Sequence, residues 1–304
     1  MVAVVGPTAA GKSDLSLDLA EALGGEVVNT DAMQLYRGMD IGTAKLPVAE
    51  RRGVVHHLLD VLDVTEPATV AQFQRWARDV IDDCRGRGVV PVLVGGSALY
   101  TRAVLDRFEF PGTDPAVRAT LEGELARVGP EALHARLAEV DPAAAAGIEV
   151  RNGRRVVRAL EVIEITGRPF TSTLPSHEYV YADAVQVGVD IPRPLLDERI
   201  ELRVQRMWDA GLVEEVRTLV DRGLRLGRTA PRALGYQQVL RHLDGEITEA
   251  EAQRLTVVGT RRFARRQDAW YRRDDRITWV GWDDPEQVAR ALGAVRAVRA
   301  GRSG

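Results

Sequence analysis

The run Gly6-Pro7-Thr8-Ala9-Ala10-Gly11-Lys12-Ser13 is a complete GxxxxGK[ST] phosphate loop, set between the apolar residues 2–5 and a helix-patterned stretch that begins at Asp14. Its glycines let the backbone curl so that successive N–H groups point at one anion. Lys12 adds a point charge, Ser13 offers a hydroxyl to a metal, and the following helix presents its positive N-terminal end. The chemistry implied is the holding of a di- or triphosphate. A glycine-rich turn at a helix start would leave the Lys-Ser pair without a purpose, but the loop does not say which phosphate compound binds.

Asp31 follows a second strand, where an aspartate can be a metal ligand, a general base or a helix cap. Ser97 closes a third strand-end, Val94-Gly95-Gly96-Ser97. A phosphoryl-transfer enzyme places a magnesium-holding carboxylate after its central strand, and only Asp60 and Asp63 offer substitutes here. Arginines then form three groups. Arg151, Arg154, Arg155 and Arg158 open one helix, and Arg261, Arg262, Arg265, Arg266, Arg272 and Arg273 load another that carries Gln267, Trp270 and Tyr271. Within each group residues four apart share a face that can follow a phosphate backbone, and the aromatic neighbours suit stacking on unpaired bases. Solvated faces paired to carboxylates are the plainer reading. Arg199, Arg203 and Arg206 share a helical face from which one can reach a leaving phosphate, with Asp197 and Glu201 as competing partners. His56, His57, His134, His177 and His242 show no metal-binding spacing.

The elements that must position these residues alternate strand and helix. Strands are expected at 2–5, 26–29, 57–62 and 89–94, with helices behind the phosphate loop and over 70–84. Such alternation gives a parallel sheet with ligands at the carboxyl ends of its strands, so the phosphate loop, Asp31 and Ser97 meet over one crevice. From 114 to 166 nothing strand-like appears, and Asp114-Pro115 and Asp141-Pro142 are cap-then-proline helix starts. A strand returns at 184–191, then helices at 194–210, 212–222, 236–243 and 248–272 and a strand at 276–282. The expected architecture is therefore α/β: a P-loop NTPase-like core, 1–113 and 173–304, whose parallel sheet is flanked by helices, plus a helical insertion domain, 114–172.

A chain of 304 residues, 45% hydrophobic and 28% charged, can bury a large core. No apolar run has membrane-spanning length and no signal peptide is visible, so a cytoplasmic protein without a membrane partner is expected. The single cysteine, Cys84, excludes an intrachain disulfide and falls on an apolar helix face as a packed thiol. Net charge is -3, yet 39 of the 41 basic residues are arginine, leaving Lys12 and Lys45 as the two lysines.

Beyond the phosphate loop, several stretches occur together in order: Asp31-Ala32-Met33-Gln34-Leu35-Tyr36, Gly38-Met39-Asp40-Ile41-Gly42-Thr43-Ala44-Lys45, Val94-Gly95-Gly96-Ser97-Ala98-Leu99-Tyr100, and Arg158-Ala159-Leu160-Glu161-Val162. Gly211-Leu212-Val213-Glu214-Glu215-Val216, Gly235-Tyr236 and Arg265-Arg266-Gln267 with Trp270 complete the set. With these the chain resembles the bacterial tRNA dimethylallyltransferases, the tRNA isopentenyltransferase family, over nearly its whole length. The resemblance implies transfer of the dimethylallyl group of dimethylallyl diphosphate to N6 of the adenosine just 3' of the anticodon (position 37), in tRNAs reading codons that begin with U. It implies Asp31 as the base, with Arg203 and Ser97 beside it, and residues 6–13 as the diphosphate site, Ser13 helping to hold Mg2+. It further implies tRNA contacts at Asp31, Ala32, Met33, Gln34, Ser97, Arg118, Arg154, Arg155, Val156, Val157, Arg158, Arg232, Ala233, Leu234, Gly235, Tyr236, Gln237, Arg265, Arg266, Gln267, Trp270 and Arg272. The insertion would grip the anticodon stem-loop, and the enzyme would act as a monomer without ATP. The alternatives are an isopentenyltransferase acting on free AMP or ADP, a P-loop small-molecule kinase, and an RNA-binding protein with a degenerate phosphate site.

Overall fold

The computed structural model describes residues 1–108, 110–170 and 178–300, which divide into two compact units, Met1–Leu105 with Tyr181–Gly304, and Asp106–Val180. The domain boundary expected between 172 and 173, and His177, lie outside the described residues.

In the first unit β1 (Val2–Val5) leads through the phosphate loop into α1 (Lys12–Leu23) and β2 (Gly25–Asn29). A two-residue strand, β3 (His56–His57), precedes α2 (Val70–Gly86), β4 (Val90–Val94) and α3 (Ala98–Leu105). The strand expected over 57–62 stops at His57 because Leu58 and Asp60 adopt φ of 60° and 57°, which no extended strand accommodates. The second unit is helical: α4 (Pro115–Val140), interrupted at Gly129-Pro130, then α5 (Pro142–Gly147) and α6 (Gly153–Thr166). Asp114 and Asp141 cap α4 and α5, each accepting backbone N–H bonds from the first turn beside a proline that needs none. Leu121, Leu133, Leu137, Val156 and Leu160 form its core.

The chain returns with β5 (Val185–Asp190), α7 (Arg193–Asp209), α8 (Leu212–Asp221), α9 (Tyr236–Leu243), α10 (Glu249–Tyr271), β6 (Ile277–Gly281) and α11 (Gln287–Ala300). The sheet is parallel throughout, in the order β3-β2-β4-β1-β5-β6. Val4 stands beside Val94 of β4 and Val187 of β5, so the phosphate loop leaves the middle of the sheet at the carboxyl ends of its strands. Val2, Val4, Val27, Val92, Val187 and Val189 pack against Leu15 and Leu19 of α1, Ile200 of α7 and Ala291 and Val295 of α11. This continuous apolar layer makes the strand ends a fixed platform. Among the described residues no helix is long and apolar enough to cross a membrane.

Candidate active site

Two cavities open over that platform and share one residue, Arg203. The smaller, about 240 Å³, is lined by Ala9, Gly11, Lys12, Ser13 and Asp14 of the loop and by Arg199, Arg203 and Arg206 of α7. Gly11 takes φ of 101° at the helix start, a conformation glycine adopts without steric penalty. Ala9 is also left-handed, with φ of 65°, backbone strain of the kind kept where a ligand site demands it. The Lys12 Nζ donates to Pro7 O at 2.7 Å. Burial, with Arg203 nearby, pulls the Lys12 ammonium down to about 7 against the opposing pull of Asp31. Burial likewise lowers Arg203, again opposed by Asp31. Neither cation has a carboxylate within ion-pair distance among the described residues. Asp197 and Glu201 are taken up by Arg193 and Arg261, so the arginine face of α7 is left open to a ligand. Lys12 and Arg203, set back from water beside Arg199 and the exposed Arg206, are costly as neighbouring like charges unless an anion completes the group.

The larger cavity, about 460 Å³, is lined by Thr8, Asp31, Ala32, Met33, Ser97 and Arg203, and by Arg232, Ala233, Leu234, Gln237 and Arg266. Ile200, Val204, Met207 and Phe263 give it an apolar wall. The sequence assigned α7 an arginine face and an opposing core face; the structure puts Ile200, Val204 and Met207 in the same cavity as Arg203. Ile200 and Met207 stand three and four residues from Arg203 and share its side of the helix, whereas Val204, the next residue along, carries no such signal. Asp31 is held by a local turn: its N–H donates to Asn29 Oδ1 at 2.8 Å and its Oδ1 accepts from Met33 N–H at 2.9 Å. Its second carboxylate oxygen makes no hydrogen bond to a described residue. The turn role and the chemical role therefore coexist in one side chain. Ser97 immediately precedes α3, its carbonyl accepting from Thr101 N–H at 3.0 Å, and it lines the cavity.

Other sequence-selected residues divide by burial. Arg265 and Trp270 are exposed on α10, and Arg266 sits 5.8 Å over the Phe263 ring at the cavity edge. Gln34 steadies the cavity wall by donating to Thr43 O at 3.1 Å. Tyr236 is fully buried, donating to Glu215 Oε1 at 2.6 Å, while Gly235 N–H is taken by Gln238 Oε1. Gln267 is buried and bonded to the phosphate loop and to Gly96. Val156 and Val157 lie in the core of the helical unit. The side chains of Tyr236, Gln267, Val156 and Val157 thus cannot meet RNA at the surface. The resemblance picked them up because they are neighbours in sequence of residues that do face out. Within the helical unit Arg154 and Arg155 are exposed, whereas Arg118 and Arg158 converge on Glu161, itself wholly buried. Arg272 pairs with Asp190 and Asp268 and stacks 3.8 Å over Trp279.

Lys45 is a buried structural lysine, donating to Tyr36 O at 2.9 Å and to Asp40 and Asp60 at 2.6 Å each. Asp63 pairs with Arg37. Neither substitute carboxylate lines either cavity, and the turn after β4 supplies none. Away from the cavities Glu26, His57 and Cys84 bring three potential metal ligands together, which sequence spacing did not suggest. Arg87 grips both oxygens of Glu26 at 2.8 and 2.7 Å, and burial with Glu26 alongside pushes the Cys84 thiol up to about 11, so the group is an ion-pair network. In the phosphate cavity the oxygen donors are the Ser13 hydroxyl and the Asp14 carboxylate. That set fits a hard cation such as Mg2+ carried mainly by phosphate oxygens and water.

Residues 34–274 match the profile of the family described as IPP transferase. The chain belongs to that family. It is similar to a tRNA dimethylallyltransferase of a Nocardioides strain, 66% identical over 98% of this chain and 96% of that protein, and to one of Thermobifida fusca, 63% identical over 97% and 94%. Its structure resembles the crystal structure of a tRNA isopentenylpyrophosphate transferase from Bacillus halodurans, with 38% identity, TM-score 0.74, and coverage of 100% and 99% of the two chains. It also resembles a eukaryotic dimethylallyltransferase acting on tRNA, with TM-score 0.82 and 25% identity over 98% of this chain and 77% of that one.

Proposed function

We propose that this chain transfers the dimethylallyl group of dimethylallyl diphosphate to N6 of the adenosine 3' of the anticodon in tRNAs reading codons that begin with U, releasing diphosphate. The observation that carries the reading is the meeting at Arg203 of an unpaired cationic cradle and an apolar-walled cavity holding Asp31. The cradle suits a diphosphate, the wall suits a five-carbon apolar chain, and the carboxylate suits an exocyclic amine.

In this mechanism the loop N–H groups, Lys12 and Arg203 bind the diphosphate and are in place before negative charge accumulates on it. The C–O bond of the allylic carbon breaks and its electron pair leaves with diphosphate. The N6 lone pair forms the new C–N bond, and Asp31 accepts the proton that N6 gives up. Ile200, Val204, Met207 and Phe263 exclude water from the allylic carbon. Ser13 would hold Mg2+ together with the diphosphate oxygens, which neutralises the leaving group when the ion is bound. An anticodon-loop base must leave its stack to reach Asp31, and on α10 Arg266 at the cavity, with the exposed Arg265 and Trp270 on the same helix, suits an RNA backbone and its bases. A kinase reading lacks its metal carboxylate, and a transferase acting on free AMP or ADP has no use for these arginines.

The test is transfer from radiolabelled dimethylallyl diphosphate, with Mg2+ and without ATP, to an anticodon stem-loop carrying three adenosines from the last anticodon position onward. Label on the stem-loop alone is expected; label on AMP, or phosphate release only with ATP, would overturn the reading.

A further inference from the structure

The phosphate loop and the turn after β4 come from different strands, yet one side chain from α10 holds both. Gln267 Oε1 accepts from the Thr8 N–H at 2.9 Å, and its Nε2 donates to Gly96 O at 2.7 Å. The amide is 6% exposed, so neither bond has water to replace it. Its two ends are chemically unlike and meet one acceptor-seeking and one donor-seeking backbone group, so its orientation is fixed. The turn must come very close for this: a Cβ on Gly96 would stand 2.3 Å from Gln267 Nε2. One turn further along α10, Tyr271 donates to Gly95 O at 3.4 Å. Thr8 and Ser97, the residues on either side of this bridge, both line the larger cavity.

We propose that Gln267 is the positioning residue that sets the spacing between the diphosphate loop and the Ser97 turn, acting through Thr8 and Gly96 and without touching RNA. The Thr8 N–H is engaged by this amide and the Ala10 N–H by Pro7 O at 3.4 Å, which leaves the amides from Gly11 onward, with Lys12, to the anion. Arg265, Arg266 and Trp270 lie on the exposed sides of the same helix, so α10 carries RNA-facing groups outward and the bridge inward. The kinetic part of this inference rests on the transferase reading above; the effect on anion binding does not.

The test uses the full chain with Gln267→Met, which keeps length and shape but offers neither bond, and Gln267→Glu, which keeps the acceptor for Thr8 and loses the donor for Gly96. Melting temperature, calorimetric affinity for inorganic pyrophosphate, stem-loop affinity and single-turnover transfer are measured for each. Gln267→Met is expected to weaken pyrophosphate about tenfold, the worth of one buried hydrogen bond. It should slow transfer roughly 100-fold, the cost of a displacement of about 1 Å at the reacting centre, with stem-loop affinity unchanged. Gln267→Glu, whose carboxylate would face Gly96 O and the anion, should lose both pyrophosphate affinity and rate with stem-loop affinity unchanged, and it decides the matter if the methionine variant does not fold. Loss of stem-loop affinity with an unchanged rate at saturating RNA would make Gln267 an RNA contact and overturn the proposal, as would both variants matching wild type. Absence of transfer in the wild type would fall on the transferase reading, with the pyrophosphate arm still deciding the role of the amide.

Discussion

Lys12 should make diphosphate binding depend on pH in a range where most lysine sites are indifferent. Its ammonium is drawn from 10.5 down to about 7, first by burial and then by Arg203. In the free protein near neutrality a substantial fraction of Lys12 is therefore uncharged. A bound diphosphate supplies the missing countercharge and restores the proton, so binding takes up protons from solution. Above the free-protein value each pH unit costs about tenfold in affinity, or about 1.4 kcal/mol, until the value in the complex is reached. Between pH 7 and pH 9 the affinity for dimethylallyl diphosphate should fall roughly 100-fold. Calorimetry in two buffers of different ionisation heat reads both the affinity and the proton uptake. Lys12→Arg is the control, since a guanidinium does not deprotonate in this range and its affinity should stay level. A level profile in the wild type, with no proton uptake, would refute the claim that burial and Arg203 discharge this lysine.

Three further outcomes follow from other parts of the molecule. Hydrogen bonds from Arg87 lower the Glu26 carboxyl to about 2, so its stabilisation is present above the ordinary value near 4.5 and is lost as pH falls toward 2; in urea unfolding the loss between pH 7 and pH 3 should be smaller in Arg87→Met than in wild type by about 1 kcal/mol, and equal losses would deny the pair that role. Glu215 accepts from Asp40, Ile41 and Gly42 N–H at 3.1, 2.7 and 3.2 Å and from the Tyr236 hydroxyl, so Glu215→Ala orphans four donors and should destabilise by about 3 kcal/mol in denaturant melts; a loss under 1 kcal/mol would mean water replaces the carboxylate. Arg265→Ala with Arg266→Ala should weaken stem-loop binding and reduce the slope of log affinity against log salt by about 1.5; an unchanged slope would leave both arginines without phosphate contacts.

How much of this was legible beforehand depended on the range of the interaction. The phosphate loop, β1, β4, β5 and α7 through α10 carry their signals locally, in glycine placement, apolar runs and a period near 3.6, and they lie within a residue or two of expectation. α3 and α11 were not anticipated. Residues 98–105 follow a Gly-Gly-Ser turn with little polar contrast, and residues 287–300 mix alanine, valine and arginine in a weak pattern, so packing against the first unit decides both. In the site, the placement of Asp31, Lys12 and Arg203 around the cavities was readable from a strand end, the phosphate-loop motif and an arginine face respectively. The roles of Lys45, Gln267 and Tyr236 were not, because Asp60, Thr8 and Glu215, which define them, lie 15, 259 and 21 residues away in the chain. The apolar wall was hidden for another reason: Ile200 and Val204 look like core in any helical wheel, and only the packing of α7 beside α10 opens a cavity next to them.

In the proposed mechanism Asp31 removes the N6 proton beside a preformed diphosphate cradle. That step is tested most directly by single-turnover transfer to the stem-loop with Asp31→Asn, alongside the affinities of that variant for stem-loop and pyrophosphate. Loss of a general base should slow the chemical step by about 100-fold or more while both affinities stay within about threefold of wild type. An undiminished rate, or a loss that lies wholly in stem-loop affinity, would contradict the account.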